Sequence, residues 1–291
     1  MKKLIFILLA TMAIIPACTT EDVFAPWKDP SKFVIPSDDV YITVVQYNIW
    51  GANKGWNSKR FDDIAAVINS QKPDLVSLNE VDSLTNRNKF VMFKELAQRT
   101  GMYYAFAAAR DPYSYNWNQA GAYGDAILSK YPIEEVRRFK LYPDPEQGDE
   151  DREDRAVCAA RVKIGDRSVW MVSTHLDHRN YELSRIYQAN QFKTIMESLE
   201  GPAVVCGDLN AKPESETMNI IRTYLTPQYP FVGPEYYTHP SKYDGQQTPT
   251  TLIDYILLKN TETALRCMSY RVVNEKASDH CAVVATFKFV E

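Results

Sequence analysis

The chain has no Cys-x-x-Cys pair among its five cysteines, which excludes a thiolate zinc site built on that spacing. It has no excess of positive charge either: 33 Lys and Arg stand against 37 Asp and Glu, for a net charge of −4. A protein that grips many phosphates of duplex DNA usually carries a basic surface. The acidic balance therefore favours a small or locally charged substrate. No internal repeat is present, and past residue 15 no apolar run is long enough to span a bilayer. Apolar residues make up 45% and charged residues 24%, an ordinary globular composition that argues against disorder. The 291 residues suffice for one large domain or two small ones.

The first segment reads as a leader. Lys2 and Lys3 precede an apolar run from Leu4 to Ile15, followed by Pro16-Ala17-Cys18. A basic start, a short apolar core and a small residue before a cut describe a signal peptide over 1–17. A Cys directly after a small residue resembles a bacterial lipoprotein cleavage box, with Cys18 acylated and residues 18–39 as a polar tether. Loss of Lys2 and Lys3 leaves the mature chain near −6. Export permits disulfides. Yet Cys158, Cys206, Cys267 and Cys281 sit among apolar, strand-like neighbours and are expected as buried free thiols.

Residues 40–47 are β-branched and aromatic and predict a strand. Phe61, Ile64, Ala65, Val67 and Ile68 recur at helical spacing over 58–70. A short strand fits 75–78, and a helix fits 90–99 with Gly101 as its stop. Strands follow at 102–108, 122–128, 132–141, 155–164 and 168–174. A long helix fits 181–199, a strand 203–207, a helix about 214–225, and strands 251–258, 264–273 and 281–289. The acidic run Asp144–Asp154 reads as a solvated loop. Helices alternate with strands early, and strands dominate later, so two packed sheets with helices outside satisfy the pattern.

Polar residues interrupt the apolar runs at their ends. Asn48 follows Val44–Tyr47, Glu80 follows Leu75–Asn79, and His175 follows Trp170–Thr174. Asp208 follows Ala203–Gly207 with Asn210 two residues on, Asp254 follows Thr251–Ile253, and Asp279-His280 precedes Cys281–Val284. A carboxylate or imidazole beside a buried strand is costly unless paired or metal-bound. Six such cases point to strands converging on one polar site. Glu80, Asp208, Asn48 and Asn210 are hard oxygen donors of the kind Mg²⁺ prefers. His175 and His280 offer proton donors near neutral pH, and Asp254 or Asp279 could orient an imidazole. Taken alone, each histidine reads equally well as structural.

These strings resemble the endonuclease/exonuclease/phosphatase superfamily, from about Val44 to Phe289. The matching strings are Tyr47-Asn48, Asn79-Glu80-Val81-Asp82, Tyr123-Gly124-Asp125, Ser173-Thr174-His175-Leu176-Asp177, Gly207-Asp208-Leu209-Asn210, Ile253-Asp254-Tyr255 and Ser278-Asp279-His280. The resemblance implies an α/β (α+β) four-layer αββα sandwich, two mixed β-sheets packed face to face with helices outside. It implies Glu80 as principal metal ligand with Asn48 beside it and Asp279 in reach. Asp208 would activate or orient water, helped by Asn210. His280, paired with Asp254, would bind phosphate, and His175 would be the second histidine. The implied cofactor is Mg²⁺, with Mn²⁺ as substitute. Two positions depart from the family's usual residues: Asn79 stands where Gln is common, and Asp125 where Asn is common.

Arg155, Tyr123 and Trp117 are candidate substrate contacts, though Arg155 reads equally as a salt bridge to the acidic loop. Trp56, Tyr113 and Tyr115 could stack on a ligand or pack on the scaffold. Asp82 with Arg87 reads as a structural ion pair, and Asp177 as a brace for its own loop; His178 and His239 receive no role. The expectation is a monomeric, metal-dependent phosphoesterase of residues 40–291, held in the cell envelope by lipid on Cys18, on the periplasmic or surface side of an outer membrane. A DNA nuclease and an inactive ligand-binding lipoprotein on the same scaffold are the alternatives. Stable anchoring needs more than one acyl chain, which a multiply acylated Cys supplies. Cys18→Ser is accordingly expected to move the protein from the membrane fraction to the soluble fraction; undiminished membrane association would refute the lipid anchor.

Overall fold

The computed structural model describes residues 40–51, 55–114, 117–146, 153–179, 182–240, 248–259 and 264–290. The leader, Cys18, the tether and Tyr115 lie outside the described residues. In chain order the first half runs β1 (Tyr41–Asn48), α1 (Ser58–Ser70), β2 (Leu75–Ser83), α2 (Met92–Thr100), β3 (Tyr103–Arg110), β4 (Ala122–Ser129), β5 (Ile133–Leu141) and β6 (Arg155–Ile164). The second runs β7 (Arg167–His175), α3 (Glu182–Ser198), β8 (Ala203–Asp208), α4 (Glu216–Arg222), β9 (Thr226–Pro227), β10 (Asp254–Lys259), β11 (Leu265–Val273) and β12 (Ala282–Phe289).

Local chemistry sets the helix limits. Asn57 caps α1 by accepting from the Arg60 N–H, and Ser215 caps α4 by accepting from Met218 N–H. Gly101, at φ 65°, ends α2 in the left-handed conformation that glycine adopts without a Cβ penalty.

Among the described residues the strands form two six-stranded sheets, ordered β11-β12-β1-β2-β4-β3 and β5-β6-β7-β8-β10-β9. Each has one parallel pair at its middle, β1 with β2 and β7 with β8, flanked by antiparallel neighbours. Both parallel pairs are joined through a helix, α1 or α3, as a parallel crossover requires. Alternate residues face opposite sides of a sheet. Val45 and Tyr47 pack outward with Phe61, Ile64, Met92 and Leu96, under α1 and α2. Val172, Val205 and Leu257 pack outward with Phe192, Met196 and Met218, under α3 and α4. Ile42, Val44, Ile127, Met171, Val204, Cys206 and Ile256 fill the layer between the sheets. This is the expected four-layer αββα sandwich.

Three boundaries differ from the sequence reading by three residues or more. β2 continues past Leu78 to Ser83 through a bulge in its pairing with β4 between Leu78 and Val81. The strand expected from 251 begins at Asp254, because the Ile253 and Asp254 N–H groups donate to the Thr238 hydroxyl, while Thr251 bridges His239. The helix expected to reach 225 stops at Arg222, and Thr226–Pro227 pair with Leu258 and Leu257 instead. Cys158, Cys206 and Cys281 are buried free thiols; Cys267, expected buried, is partly exposed on β11, which among the described residues pairs with β12 alone. No helix among the described residues is long and apolar enough to cross a membrane.

Candidate active site

The rows facing the inter-sheet layer change character at one end. Along β1 they read Ile42, Val44, Gln46, Asn48; along β2, Leu75, Ser77, Asn79; along β7, Met171, Ser173, His175; along β8, Val204, Cys206, Asp208. Antiparallel β10 begins at the same end with Asp254, paired in register with Asp208. Since β1 and β2 run parallel, as do β7 and β8, their C-terminal polar residues collect together. Ser77 and Ser173 hydroxyls meet across the layer at 2.8 Å, where the apolar core gives way.

Asn79 binds the two sheets above that point. Its Nδ2 donates to Asp125 Oδ1 at 2.7 Å and to the Thr174 carbonyl at 3.0 Å. Its Oδ1 accepts from Gln46 Nε2 at 2.6 Å and from the Asp208 backbone N–H at 3.0 Å. The two positions that depart from the family's usual residues, Asn79 and Asp125, are thus bonded to each other. Burial pushes the Asp125 carboxyl up to about 7, against the opposing pull of Asn79 and Arg155.

Next along β2, Glu80 sits in the bulge at φ 61°, a left-handed conformation unfavourable for a residue with a Cβ. Gly51 makes the close approach to it: a Cβ there would lie 1.8 Å from the Glu80 carbonyl oxygen. Asn48 Nδ2 donates to Glu80 Oε1 at 3.3 Å and to Asp208 Oδ2 at 3.0 Å, while its Oδ1 accepts from Trp50 N–H at 3.0 Å. A ligand role for the Asn48 oxygen requires this amide to turn. Trp50 and Asn210 also hold positive φ, 56° and 46°.

Asp208 is the meeting point of the site. Its Oδ1 accepts from Asn210 N–H at 2.9 Å, and its Oδ2 lies 3.5 Å from His175 Nε2 and 3.7 Å from His280 Nε2. Burial, with the Asp254 charge next, pushes its carboxyl up to about 7. His280 Nδ1 pairs with Asp254 Oδ2 at 2.9 Å. Burial opposes charge on that imidazole, but Asp254 and Asp208 overcome it and raise His280 to about 10. His175 behaves oppositely: burial, then the charge of Arg155, lowers it well below its ordinary value. Asn210 Nδ2 lies 2.9 Å from His175 Nε2, so that nitrogen accepts and the imidazole is neutral. Burial pushes Asp279 up to about 6, with Glu80 adding to the shift. Beyond burial, Asp254 raises Asp208 and Glu80 raises Asp279, and such crowding of hard oxygen donors fits a divalent cation held by Glu80 and Asp279.

A pocket of about 470 Å³ opens over these groups. Glu80, Asp208, Asp279 and His280 are among the residues that line it, with Arg87, Arg110, Arg155, Trp117 and Tyr123. Arg110 lies over the Trp117 ring at 4.8 Å and Arg87 over Tyr123 at 5.2 Å. Arg87 also makes the expected ion pair with Asp82, at 2.7 and 3.0 Å. Asp177 accepts from Arg179 N–H and braces its own loop. Trp56 packs on Phe61 in the outer core, and Tyr113 is fully exposed, so neither lines the pocket.

The sequence reading gave no role to His239, and of the salt bridge it offered between Arg155 and the acidic loop, which forms, it did not identify the acid, Glu153. His239 packs on His280 with ring centroids 4.2 Å apart. Glu153, expected in a solvated loop, is buried among basic groups: Arg155 at 3.6 Å, Arg110 at 3.7 Å, Arg179 at 3.9 Å and His178 at 3.4 Å. The physical reason is Arg155 at the start of β6, 1% exposed, whose buried cation needs a buried anion. An isolated run of acids gives no hint of which member turns inward.

The model of the endonuclease/exonuclease/phosphatase family matches residues 45–280, and the chain belongs to that family. Compared by sequence with curated proteins, it matches none. Among solved structures it resembles an endonuclease/exonuclease/phosphatase family protein from Bacteroides thetaiotaomicron (TM-score 0.70, 18% identity, covering 87% of this chain and 100% of that one). It also resembles a mannosyl-6-phosphatase from Bacteroides thetaiotaomicron VPI-5482 (TM-score 0.61, 18% identity, 84% and 99% covered). A third is D. rerio TDP2 complexed with a single-strand DNA product (TM-score 0.63, 17% identity, 86% and 99% covered). Members of the family are divalent-metal-dependent hydrolases of phosphoester bonds, phosphatases and nucleases among them.

Burial opposes the Glu153 charge, but Arg155 and His178 hold its carboxyl far below the ordinary 4.5. A depressed carboxyl contributes stability above its unfolded pKa and loses it as pH falls towards the folded value. Removing one partner of a buried pair costs about 3–5 kcal/mol. Glu153→Gln is therefore expected to lower unfolding free energy in urea by about 3 kcal/mol at pH 7, with the gap to wild type closing in acid below about 4.5. Equal stability of the two proteins at pH 7 would contradict the pairing.

Proposed function

We propose that the chain hydrolyses a small phosphate ester by metal-assisted attack of water on phosphorus. The observation that carries this is Asp208, a buried carboxylate aimed by Asn210 N–H and Asn48 into a pocket whose wall also presents His280, His175 and Glu80. A general base works best with a pKa near the operating pH, and burial brings Asp208 to about 7. Asp208 takes the proton of the attacking water as its oxygen bonds to phosphorus, the ester P–O bond breaks on the opposite side, and the departing oxygen leaves as an alcohol on taking a proton from solvent. His280, charged and held by Asp254, donates to a phosphoryl oxygen whose charge grows towards the transition state. Asn210 fixes His175 and the floor beside it. Glu80 and Asp279, with Asn48, would hold Mg²⁺, or Mn²⁺ in its place; the bound ion supplies neutralisation of phosphoryl oxygen charge.

The 470 Å³ pocket suits a small or headgroup-like ester, and Arg110 and Arg155, with Tyr123 and Trp117, give it a cationic and aromatic wall for the remainder of that substrate. The likeness to a mannosyl-6-phosphatase supports this choice. A single nucleic-acid strand is the second reading, favoured by the likeness to TDP2 with bound single-strand DNA product and disfavoured by the net charge of −4. The protein acts outside the cytoplasm as a monomer, tethered through lipid on Cys18.

A panel of sugar phosphates, inositol phosphates, sphingomyelin and plasmid DNA, each with Mg²⁺ and with chelator, identifies the substrate. On the best of these, Asp208→Asn and His280→Ala are each expected to cut kcat at least about a hundredfold with KM little changed. His280 and Asp254 act as a unit, so His280→Ala with Asp254→Ala should be little worse than His280→Ala alone. Near-normal kcat in folded Asp208→Asn, or full activity after exhaustive chelation, would refute the reading.

A further inference from the structure

His239 lies beside two groups of the proposed reaction centre, Asp279 and His280, in a way that the hydrolysis does not require. His239, Asp279 and His280 each present a ligand atom, and these atoms all lie within 4.8 Å of one another. All three side chains line the pocket. We propose that they form a site for Zn²⁺ or a similar transition-metal ion, sharing Asp279 with the oxygen-lined position at Glu80 but differing from it in donor chemistry, and that filling it inhibits the enzyme.

The donor types set the class of ion. Two imidazoles and one carboxylate suit Zn²⁺, Co²⁺, Ni²⁺ or Cu²⁺, whereas Mg²⁺ prefers oxygen throughout. Three protein ligands leave a fourth position open to the pocket, as in zinc sites that keep a water or ligand. His280 is already oriented as metal-binding histidines are. Its Nδ1 is engaged by Asp254 at 2.9 Å, which leaves Nε2 for an ion; a carboxylate behind an imidazole in this way fixes the ring and raises its basicity.

His239 is held to this position by its backbone. It donates to the Thr251 carbonyl at 3.1 Å and accepts from Thr250 and Thr251 N–H, both at 3.0 Å. The preceding Thr238 carbonyl accepts from Cys281 N–H at 2.7 Å, so the segment carrying His239 runs beside the segment carrying His280. The Thr238 hydroxyl accepts from Ile253 and Asp254 N–H, each at 3.2 Å, which ties the same segment to the residue that orients His280. The rings then meet at a centroid distance of 4.2 Å and a tilt of 37°. Several independent backbone bonds thus fix the spacing of the two imidazoles. The ion takes the place of the His280 proton at Nε2, close to Asp208, so the donor that meets the phosphoryl oxygen is lost. The effect on rate rests on the proposed hydrolysis; the binding of the ion does not.

The test uses the folded chain in saturating Mg²⁺, titrated with Co²⁺ and followed by its visible d–d absorption, then with Zn²⁺ to displace it. A single equivalent should bind, and His239→Ala should weaken that binding by at least about tenfold, a loss at the low end of what altering a metal site's supporting groups produces. His239→Gln, closer in bulk, should behave like His239→Ala, with circular dichroism confirming that both are folded. On a hydrolysed substrate, each variant should need at least about tenfold more Zn²⁺ than wild type to halve its own zinc-free rate. Equal Co²⁺ affinity in wild type and both variants would overturn the site. A chain that hydrolyses nothing yet binds Co²⁺ through His239 would overturn the proposed hydrolysis and leave the site standing.

Discussion

The structure depends on how four buried polar groups from two sheets are satisfied at one amide. An asparagine side chain has two donors and an oxygen with two lone pairs, and Asn79 uses all four. Asp125 and Gln46 belong to its own sheet; the Thr174 carbonyl and the Asp208 N–H belong to the other. A buried polar group left unmade costs far more than a made hydrogen bond returns, so the sheets can meet at this end in one register only. Below Asn79 the layer between the sheets is apolar and packs like any sandwich core. Above it the same rows carry carboxylates and imidazoles.

That arrangement explains the electrostatics. Asp208, Asp254, Asp279 and Glu80 are brought together by strand register rather than by mutual attraction, and burial works against the charges of the three aspartates. The strain is resolved unevenly. Asp254 keeps its charge because His280 shares a proton with it and holds its carboxyl below the ordinary range. Asp208 and Asp279, with weaker compensation, rise to about 7 and about 6. The two histidines separate for the same reason: His280 faces anions and gains charge, while His175 is buried beside Arg155 and loses it. Groups of one type set far apart in proton affinity by their surroundings are the raw material of acid–base chemistry.

Much of this was legible in the sequence, and the reason is geometric. A strand that ends in a polar residue after an apolar run marks where its row leaves the core, and His175, Asp208 and Asp254 each carried that mark alone. The alternation of helices and strands fixed the layers. Glu153 and His239 were not legible, because each matters through partners that local pattern does not reveal. Glu153 is drawn inward by arginines from two strands and a loop, and His239 is placed by its backbone bonds to Thr250 and Thr251 and by that of Thr238 to Cys281. Asn79 was noticed only as a departure from a family pattern; that it bonds to the other departure, Asp125, depends on register between β2 and β4 across a bulge.

If the Asn79 joint aims Asp208 at the bound phosphate, its loss should be felt in the chemical step. Steady-state kinetics of Asn79→Ala, on a substrate that wild type turns over, measures this most directly, with urea unfolding to confirm a folded state. The side chain does not itself line the pocket, so KM should change little, while loss of alignment at a positioned base should lower kcat by about a hundredfold. A folded Asn79→Ala protein with wild-type kcat would show that the joint between the sheets does not set the chemistry.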